Sequence, residues 1–169
     1  GSQRIFVSNA LSYDPWDEFA ISMVDTTFSP VDGRIRWELE TGGSGSLTWF
    51  DSNAVLTTGA WYYIVGTWNG TNMSIFFNGV LDNSMLKSGT ISDYGNQTDI
   101  GYQKNELGTE GFVWNGTLDE IRLSNVARTS GWIRTEYNNQ NSTSTFYTIG
   151  SQEAVGCRNI SGSITLTGD

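Results

Sequence analysis

Histidine is absent from this chain, and cysteine occurs once, as Cys157. Without an imidazole there is no Ser-His-Asp or Cys-His triad and no histidine-ligated zinc site. One thiol cannot form an internal disulfide or a CxxC redox pair. For Cys157, a partly buried small side chain is the favoured interpretation over an intermolecular bridge. Several classes of enzyme and of metal site are therefore excluded.

Basic residues and long apolar runs are also scarce. Lys and Arg number 9 against 18 Asp and Glu, and the formal net charge of -9 repels nucleic-acid phosphates and anionic lipids. No apolar run approaches the roughly 20 residues that span a bilayer, and no signal-peptide pattern opens the chain. We therefore expect no nucleic-acid partner and no membrane insertion, and we expect any export signal to lie outside this sequence.

The residues that are abundant are typical of β structure. The chain has 20 Gly and only 2 Pro, and turn formers separate short runs of β-branched and aromatic residues. This pattern indicates an all-β sandwich in a single domain. Strands are predicted at residues 4–8, 18–24, 34–40, 47–50, 60–68, 73–77, 80–81, 99–102 and 144–149.

Three of these segments carry sharper expectations. In residues 34–40 apolar and charged side chains alternate, so one face of the strand should be buried and the other solvated. Residues 60–68 are apolar on both faces, which predicts a strand in the middle of a sheet. Asn78 and Gly79 form a two-residue hairpin signal, because both central residues of a type I′ turn take positive φ.

Residues 117–140 combine a strand with the only convincing helix of the sequence. The alternation over residues 118–123 has the period of two of a strand. A short helix is predicted near residues 129–139, with Ser or Thr capping its first turn. Three side chains at helical spacing are expected to pack this helix onto the sandwich: Trp132, Ile133 and Tyr137.

Several spaced motifs carry a family resemblance: residues 61–70 (WYYIVGTWNG), 73–80 (MSIFFNGV), 100–101 with Phe112, and 116–128 (GTLDEIRLSNVAR). In this order they resemble the laminin-G-like branch of the concanavalin A-like lectin/glucanase superfamily. Residues 127–150 are similar to the version found in large prokaryotic surface proteins. The resemblance implies a two-sheet antiparallel jelly-roll sandwich.

The likeness covers about residues 60–153 and is poorer before residue 60, where the family usually carries further strands. We assign residues 1–153 to one laminin-G-like β-sandwich that could lack N-terminal strands. Residues 154–169 are assigned to a C-terminal strand or to the start of a following segment. Either the chain is a fragment, or its tail or a partner completes the sheet, and an unfilled sheet edge would be an assembly site.

Glu38 and Glu40 are the residues that a glucan hydrolase would use here, because glucanases that resemble this fold place two carboxylates on one strand face. Retaining glycosidases hold such a pair about 5.5 Å apart, within reach of positions i and i+2. The sequence departs from the glucanase pattern at Leu39 and Gly42, and two arginines share the face. A solvated strand face with cross-strand ion pairs is therefore favoured, and we expect the protein not to be an enzyme.

The resemblance also implies a structural calcium site. In the superfamily the Asp of the segment that residues 117–122 resemble often contributes a ligand, which makes Asp119 the first expected ligand, helped by backbone carbonyls near Gly116. Calcium takes carboxylate and carbonyl oxygens and needs neither His nor Cys. The alternative is that Asp119 caps the backbone locally and binds no metal.

Aromatic side chains are the candidate ligand contacts, because their faces stack on pyranose rings while nearby Asn and Asp bond the hydroxyls. Three tryptophans in or beside predicted loops are candidates: Trp16, Trp49 and Trp114. Three in strongly patterned segments are expected in the core: Trp37, Trp61 and Trp132. Six glycosylation sequons lie mostly in predicted turns, at Asn69, Asn72, Asn96, Asn115, Asn141 and Asn159.

These features favour a non-catalytic extracellular module of a cell-surface protein that recognises a glycan or a surface polymer. The first alternative is a structural or assembly subunit of a surface protein or filament, which would pair through a sheet edge with other subunits or with copies of itself. A β-glucan hydrolase is the less favoured alternative.

Overall fold

The computed structural model describes residues 3–10, 17–24, 33–43, 45–103 and 112–142. Within these ranges the chain forms eight strands and one helix. The strands are β1 (Gln3–Ala10), β2 (Asp17–Val24), β3 (Arg34–Glu40), β4 (Leu47–Val55), β5 (Ile64–Trp68), β6 (Asn72–Phe77), β7 (Val80–Leu86) and β8 (Thr98–Ile100), and the helix is α1 (Ser130–Asn141).

The strands form two antiparallel sheets. One sheet has five strands in the order β4-β3-β2-β1-β8, and the other has three in the order β5-β6-β7. This arrangement is mostly β with one short helix, and it is consistent with a jelly-roll sandwich, so the predicted fold class is confirmed. No helix in the described ranges is long and apolar enough to cross a bilayer.

The sandwich core lies between β3 and β6. The apolar half of the β3 alternation faces inward, as its period of two predicts. Gly66 of β5 lets the sheets approach, because a Cβ there would lie 2.9 Å from Ile21 Cδ1 and 3.0 Å from Trp37 Cδ2. Five buried side chains form the central cluster: Trp37, Leu39, Phe50, Met73 and Ile75.

Helix α1 begins where the sequence predicts it. The side chain of Thr129 caps it by accepting the Trp132 N–H at 3.3 Å. Ile133 is fully buried, and the Tyr137 ring packs 6.1 Å from that of Tyr63. Trp132 remains 40% exposed with the Arg128 guanidinium 4.9 Å from its ring centroid, so its prediction as a core residue is wrong.

The predicted hairpin at Asn78 and Gly79 joins β6 to β7 and is confirmed, with φ of 51° and 79°. The strand at residues 47–50 is longer than predicted and continues through Val55. That extension matters for the fold, because Asp82 of β7 accepts N–H groups from Asn53 and Ala54 at 2.6 and 3.0 Å. The two sheets are thereby linked beside β4.

The prediction for residues 60–68 is wrong in two respects. Only Ile64–Trp68 forms a strand, and within the described chain it pairs with β6 alone, at the end of its sheet rather than in the middle. Trp61 is 69% exposed and does not belong to the core. Apolar residues on both faces therefore did not place this segment in the middle of a sheet.

The strand predicted over residues 118–123 is also wrong, since this segment forms neither a strand nor a helix. Glu120 has a φ of 53°, which interrupts an extended backbone. Arg122 binds Glu120 at 2.6 Å and also Glu136 of helix α1, so ion pairs rather than a sheet ladder hold the segment. The alternation is present in the sequence, but a strand needs a paired neighbour.

Some predictions fall outside the described residues: Trp16, the strand at 144–149, Asn159, Cys157 and the segment 154–169.

Candidate functional site

Of the two predicted ligand tryptophans that the structure describes, Trp49 is the more exposed. It lies in β4, opposite Glu38 of β3, whereas its neighbour Phe50 pairs with Trp37 and enters the core. Because successive side chains of a strand point to opposite faces, Trp49 projects from the outer face of the five-stranded sheet. It is 50% exposed. It thus lies within the strand that the sequence predicted at residues 47–50, close to the loop that precedes that strand.

Arg36 fixes the orientation of this ring. Its guanidinium carbon lies 3.9 Å from the Trp49 ring centroid, a cation–π distance. The same guanidinium donates from Nε and Nη2 to the two carboxylate oxygens of Asp51, at 2.7 and 3.0 Å. Asp51 is anchored in turn, because Asn83 Nδ2 donates to its carbonyl at 2.9 Å. One face of the indole is covered by Arg36, and the remaining exposed surface is held in place.

An open indole face held in one orientation suits a specific kind of ligand. It can cover the apolar face of a pyranose ring with little loss of side-chain entropy, because the Arg36–Asp51 pair already restricts the ring. The carboxylate of Asp51 binds Arg36 on this same surface. The Asp51 side chain is 24% exposed. We call the surface formed by Trp49, Arg36 and Asp51 the Trp49 platform.

The two glutamates of β3 do not lie on a solvated face. Glu38 is 6% exposed and Glu40 is fully buried. Their burial corrects the expectation of a solvated face, whereas the expected cross-strand ion pair is present between Arg36 and Asp51. Glu40 Oε1 accepts the Ser46 N–H at 3.1 Å, and its carbonyl accepts the Ser92 N–H at 3.0 Å.

A segment from later in the chain covers this end of the sheet. The carboxylate of Glu18 on β2 accepts N–H groups from Tyr94 at 2.7 Å and Asn96 at 3.4 Å. Burial raises the pKa of the Tyr94 phenol, a hydrogen bond with Ser92 lowers it, and the nearby carboxylates of Glu40 and Glu18 raise it further. The covered glutamates therefore hold a loop in place through hydrogen bonds.

A groove of about 2280 Å³ lies on the opposite face of the five-stranded sheet, between the sheets. Trp114, Gly116 and Asp119 line it together, while Trp49 does not. Trp114 is half-buried and packs edge-to-face on Phe6 with the ring centroids 4.6 Å apart. A Cβ at Gly116 would lie 2.8 Å from the Trp114 ring. The structure thus places Trp49 and Trp114, the two predicted ligand tryptophans in the described ranges, on different faces.

Two adjacent tyrosines at the groove have opposite electrostatic surroundings. Hydrogen bonds with the Thr57 side chain and backbone lower the pKa of Tyr62. Burial raises the pKa of Tyr63, and the charge of Arg122 partly lowers it.

The residues predicted to bind calcium fit that ion poorly. Asp119 is exposed, and its Oδ1 accepts the N–H of the next residue, Glu120, at 2.9 Å, which is the local capping alternative. In the part of the chain that the structure describes, no three acidic, His or Cys side chains gather to hold a metal. Calcium takes six to eight oxygen ligands, and Asp119 supplies one carboxylate.

Five of the six predicted glycosylation sequons lie in described segments. Asn69, Asn115 and Asn141 are exposed, whereas Asn72 and Asn96 are partly buried. Asn69 Oδ1 accepts N–H groups from Thr71 at 3.0 Å and Asn72 at 2.8 Å, and neither bond uses Nδ2. A glycan on that nitrogen would leave the turn intact.

The fold and the Trp49 platform define a two-sheet β-sandwich with an aromatic surface of the kind that suits a carbohydrate. A family model described as the concanavalin A-like lectin/glucanases superfamily matches residues 2–134. The chain belongs to this superfamily, as its motifs indicated, and the membership supports a carbohydrate-binding type of module.

Two solved structures are similar to this chain. A heptameric SAP-like pentraxin from Limulus polyphemus aligns with a TM-score of 0.57 and 23% identity, over 80% of this chain and 63% of that one. An S-layer domain-containing protein from Clostridium thermocellum aligns with a TM-score of 0.43 and 15% identity, over 80% of this chain and 63% of that one. The chain therefore spans less than two thirds of either relative. A comparison with curated proteins found no match.

Arg36 and Asp51 are the site residues that sequence reasoning missed. The signal was present, because antiparallel pairing across the loop at 41–46 sets Arg36 opposite Asp51, two positions from Trp49. Extending the strand at 47–50 by a few residues would have revealed a cross-strand ion pair beside an exposed indole.

Proposed function

We propose that this domain is a non-catalytic extracellular carbohydrate-binding module of a cell-surface protein and that the Trp49 platform makes the contact with the sugar. The observation that carries this proposal is the half-exposed Trp49 ring held by Arg36 at 3.9 Å. Aromatic and arginine side chains are enriched among the residues that contribute most to binding. An indole buries a large area and has only two side-chain torsions to fix.

Burial of the glutamates supports the non-catalytic part of the proposal. A glycosidase needs two carboxyl groups that reach the scissile bond of the substrate. Glu40 is fully buried and hydrogen-bonded to Ser46, and Glu38 is 6% exposed, so neither is presented to a ligand. Hydrolysis of a β-glucan that is abolished by Glu38→Gln would overturn this part of the proposal.

A glycan array followed by isothermal titration tests the binding function. We expect at least one oligosaccharide to bind, and we expect Trp49→Ala to weaken that binding roughly tenfold or more, since truncation of an anchoring aromatic costs at least about 1.4 kcal/mol. Trp61→Ala is the matched control, because Trp61 is 69% exposed but lines the groove between the sheets. Binding that survives Trp49→Ala but is lost in Trp61→Ala would place the site in the groove instead.

Assembly through a sheet edge is the second candidate function. Among the described strands β5 pairs only with β6, which leaves the other edge of β5 without a strand partner there. Open strand edges can pair with another chain. Light scattering at high concentration tests this function, and a strict monomer would count against it.

The extracellular location predicts modification at the sequons. The three exposed sequon asparagines are Asn69, Asn115 and Asn141. When the protein is secreted from a host that N-glycosylates, we expect a mass increase that is removed by a peptide N-glycosidase. An unchanged mass would show that the sequons are not glycosylated in that host. It would not count against sugar binding by the Trp49 platform.

A further inference from the structure

The tetrapeptide Trp-Asn-Gly-Thr occurs twice in this chain, at residues 68–71 and 114–117. Both copies contain an Asn-Gly bond, where the side-chain amide is attacked readily because glycine has no Cβ to obstruct the approach of its backbone nitrogen. Both asparagines, Asn69 and Asn115, are exposed. The two copies therefore match in local sequence and in solvent access, so a difference in their reactivity has to come from the fold.

The reaction in question is an intramolecular exchange of amide bonds. The backbone nitrogen of the glycine loses its proton and forms a bond to Cγ of the asparagine. The Cγ–Nδ2 bond breaks, and Nδ2 takes up that proton and leaves as ammonia. Water then opens the cyclic imide at either carbonyl, which gives aspartate or isoaspartate. The step needs no enzyme, but the side chain and the backbone have to rotate until Cγ meets the glycine nitrogen.

Asn69 is held against this rotation. Its Oδ1 accepts the Thr71 N–H and the Thr71 hydroxyl, both at 3.0 Å, and the Asn72 N–H at 2.8 Å. Its own N–H donates to the Asn72 carbonyl at 3.2 Å, within the turn between β5 and β6. Ring closure at residue 69 therefore has to break hydrogen bonds first.

Asn115 lacks these restraints. Among the described residues, no hydrogen bond is made by its side chain or by the Gly116 N–H, and residues 113–120 form neither strand nor helix. The fold also keeps glycine at position 116, because a Cβ there would lie 2.8 Å from the Trp114 ring. Packing of Trp114 thus places a glycine nitrogen next to an unrestrained asparagine.

We propose that Asn115 is a site of spontaneous deamidation in the folded protein, while Asn69 in the same tetrapeptide is protected. The third Asn-Gly bond, at residues 78–79, is protected too, because Asn78 is partly buried and its Oδ1 accepts the Tyr63 N–H at 2.9 Å. The product carries a new carboxylate beside Trp114. A glycan would use the same nitrogen that leaves as ammonia, so glycosylation and deamidation exclude each other at Asn115.

Ageing of the unglycosylated protein tests the proposal. The protein is produced in a host that does not N-glycosylate and is incubated folded in mildly alkaline buffer. Tandem mass spectrometry of tryptic peptides follows the conversion of amide to carboxyl at each asparagine, and isoaspartyl methyltransferase detects isoaspartate. We expect Asn115 to convert at least about tenfold faster than Asn69, because each net hydrogen bond slows ring closure roughly twofold to tenfold. Equal rates, or a faster rate at Asn69, would overturn the proposal.

The same measurement in guanidinium chloride is the control. In the unfolded chain the two tetrapeptides are chemically alike, so their rates should become equal. An excess at Asn115 that persists in denaturant would assign the difference to the sequence and overturn the role of the fold.

A matched pair of variants tests the cause of the protection. Thr71→Val removes one of the hydrogen bonds that hold Asn69, so its rate should rise roughly twofold to tenfold. Thr117→Val changes the corresponding exposed residue of the other copy, whose hydroxyl does not bind Asn115 in the described structure, and should leave the Asn115 rate unchanged. An unchanged Asn69 rate in Thr71→Val, or an equal acceleration in both variants, would show that these bonds do not protect Asn69.

Discussion

Arg36 lies under the Trp49 ring, with its guanidinium carbon 3.9 Å from the ring centroid, and it is locked there by both carboxylate oxygens of Asp51. The three side chains come from paired positions of β3 and β4. An exposed tryptophan on a sheet surface would ordinarily sample several rotamers. Here the ion pair of Arg36 and Asp51, whose side chains are 17% and 24% exposed, restricts the Trp49 ring. This restriction makes the surface suitable for binding.

Arg36→Gln should destabilise the domain by about 0.5–2 kcal/mol. The cation–π contact contributes about 0.5–1 kcal/mol at a partly exposed site, and the ion pair with Asp51 contributes up to about 1 kcal/mol. Chemical denaturation at fixed salt measures the change. Arg128→Gln is the control, because Arg128 also lies over a tryptophan, Trp132, but at 4.9 Å and on the exposed surface. Equal losses of unfolding free energy in the two variants would show that the closer contact of Arg36 with Trp49 adds no stability.

Gly79→Ala should weaken the packing of helix α1 on the β6–β7 hairpin. Gly79 has a φ of 79°, and an added Cβ would lie 3.0 Å from the Tyr137 Cβ and Cδ1 atoms. The backbone conformation costs about 1–2 kcal/mol for alanine, and the steric overlap adds about 1–3 kcal/mol. Gly70→Ala isolates the backbone part, because Gly70 has a φ of 95° with nothing within 4 Å of a Cβ.

A double-mutant cycle separates the two contributions at Gly79. In a Tyr137→Gly background both the Tyr137 Cβ and the ring are absent, so Gly79→Ala should cost only what Gly70→Ala costs in the wild type. Urea unfolding of the four proteins gives the coupling free energy. No coupling between positions 79 and 137 would mean that the helix does not pack there.

Local patterns in the sequence predicted the elements that depend on local chemistry. Strand β3 follows from alternation, the β6–β7 hairpin from Asn78 and Gly79, and the start of α1 from the cap at Thr129. Each of these signals acts within a few residues of the structure it determines. Prediction from one sequence is therefore strong for these elements.

Burial and strand pairing depend on distant residues, and there the sequence was less informative. Glu38 and Glu40 read as a solvated face, but the segment that donates N–H groups from Tyr94 and Asn96 covers that end of the sheet. The alternation at 118–123 reads as a strand, but it finds no ladder in the described structure. Trp49 is 50% exposed, and its support by Arg36 follows only from the register of two strands.

Calcium binding at Asp119 stays a prediction, and thermal unfolding checks it. If calcium binds only the folded protein, mass action raises the melting temperature with increasing calcium. If Asp119 holds calcium, the rise at millimolar calcium is present in the wild type and absent in Asp119→Ala. Asp93→Ala is the control, because it removes the same charge from another exposed Asp that caps a local N–H group, that of Gly95. No shift in the wild type would reject calcium, and an equal shift in Asp119→Ala would reject Asp119 as a ligand.

Alkaline titration should resolve the neighbours Tyr62 and Tyr63. The Thr57 hydrogen bonds lower the pKa of Tyr62, so the folded protein loses that proton before the unfolded chain does, and stability rises with pH up to the unfolded value of about 10. Burial raises the pKa of Tyr63, so above about pH 10 the unfolded chain ionises first and stability falls with pH. Tyr63→Phe should reduce that alkaline loss, and Tyr62→Phe should remove the earlier gain. Phenolate absorbance and urea unfolding at each pH measure both effects. If Tyr63→Phe removes the first phenol to ionise, the burial of Tyr63 against helix α1 is wrong.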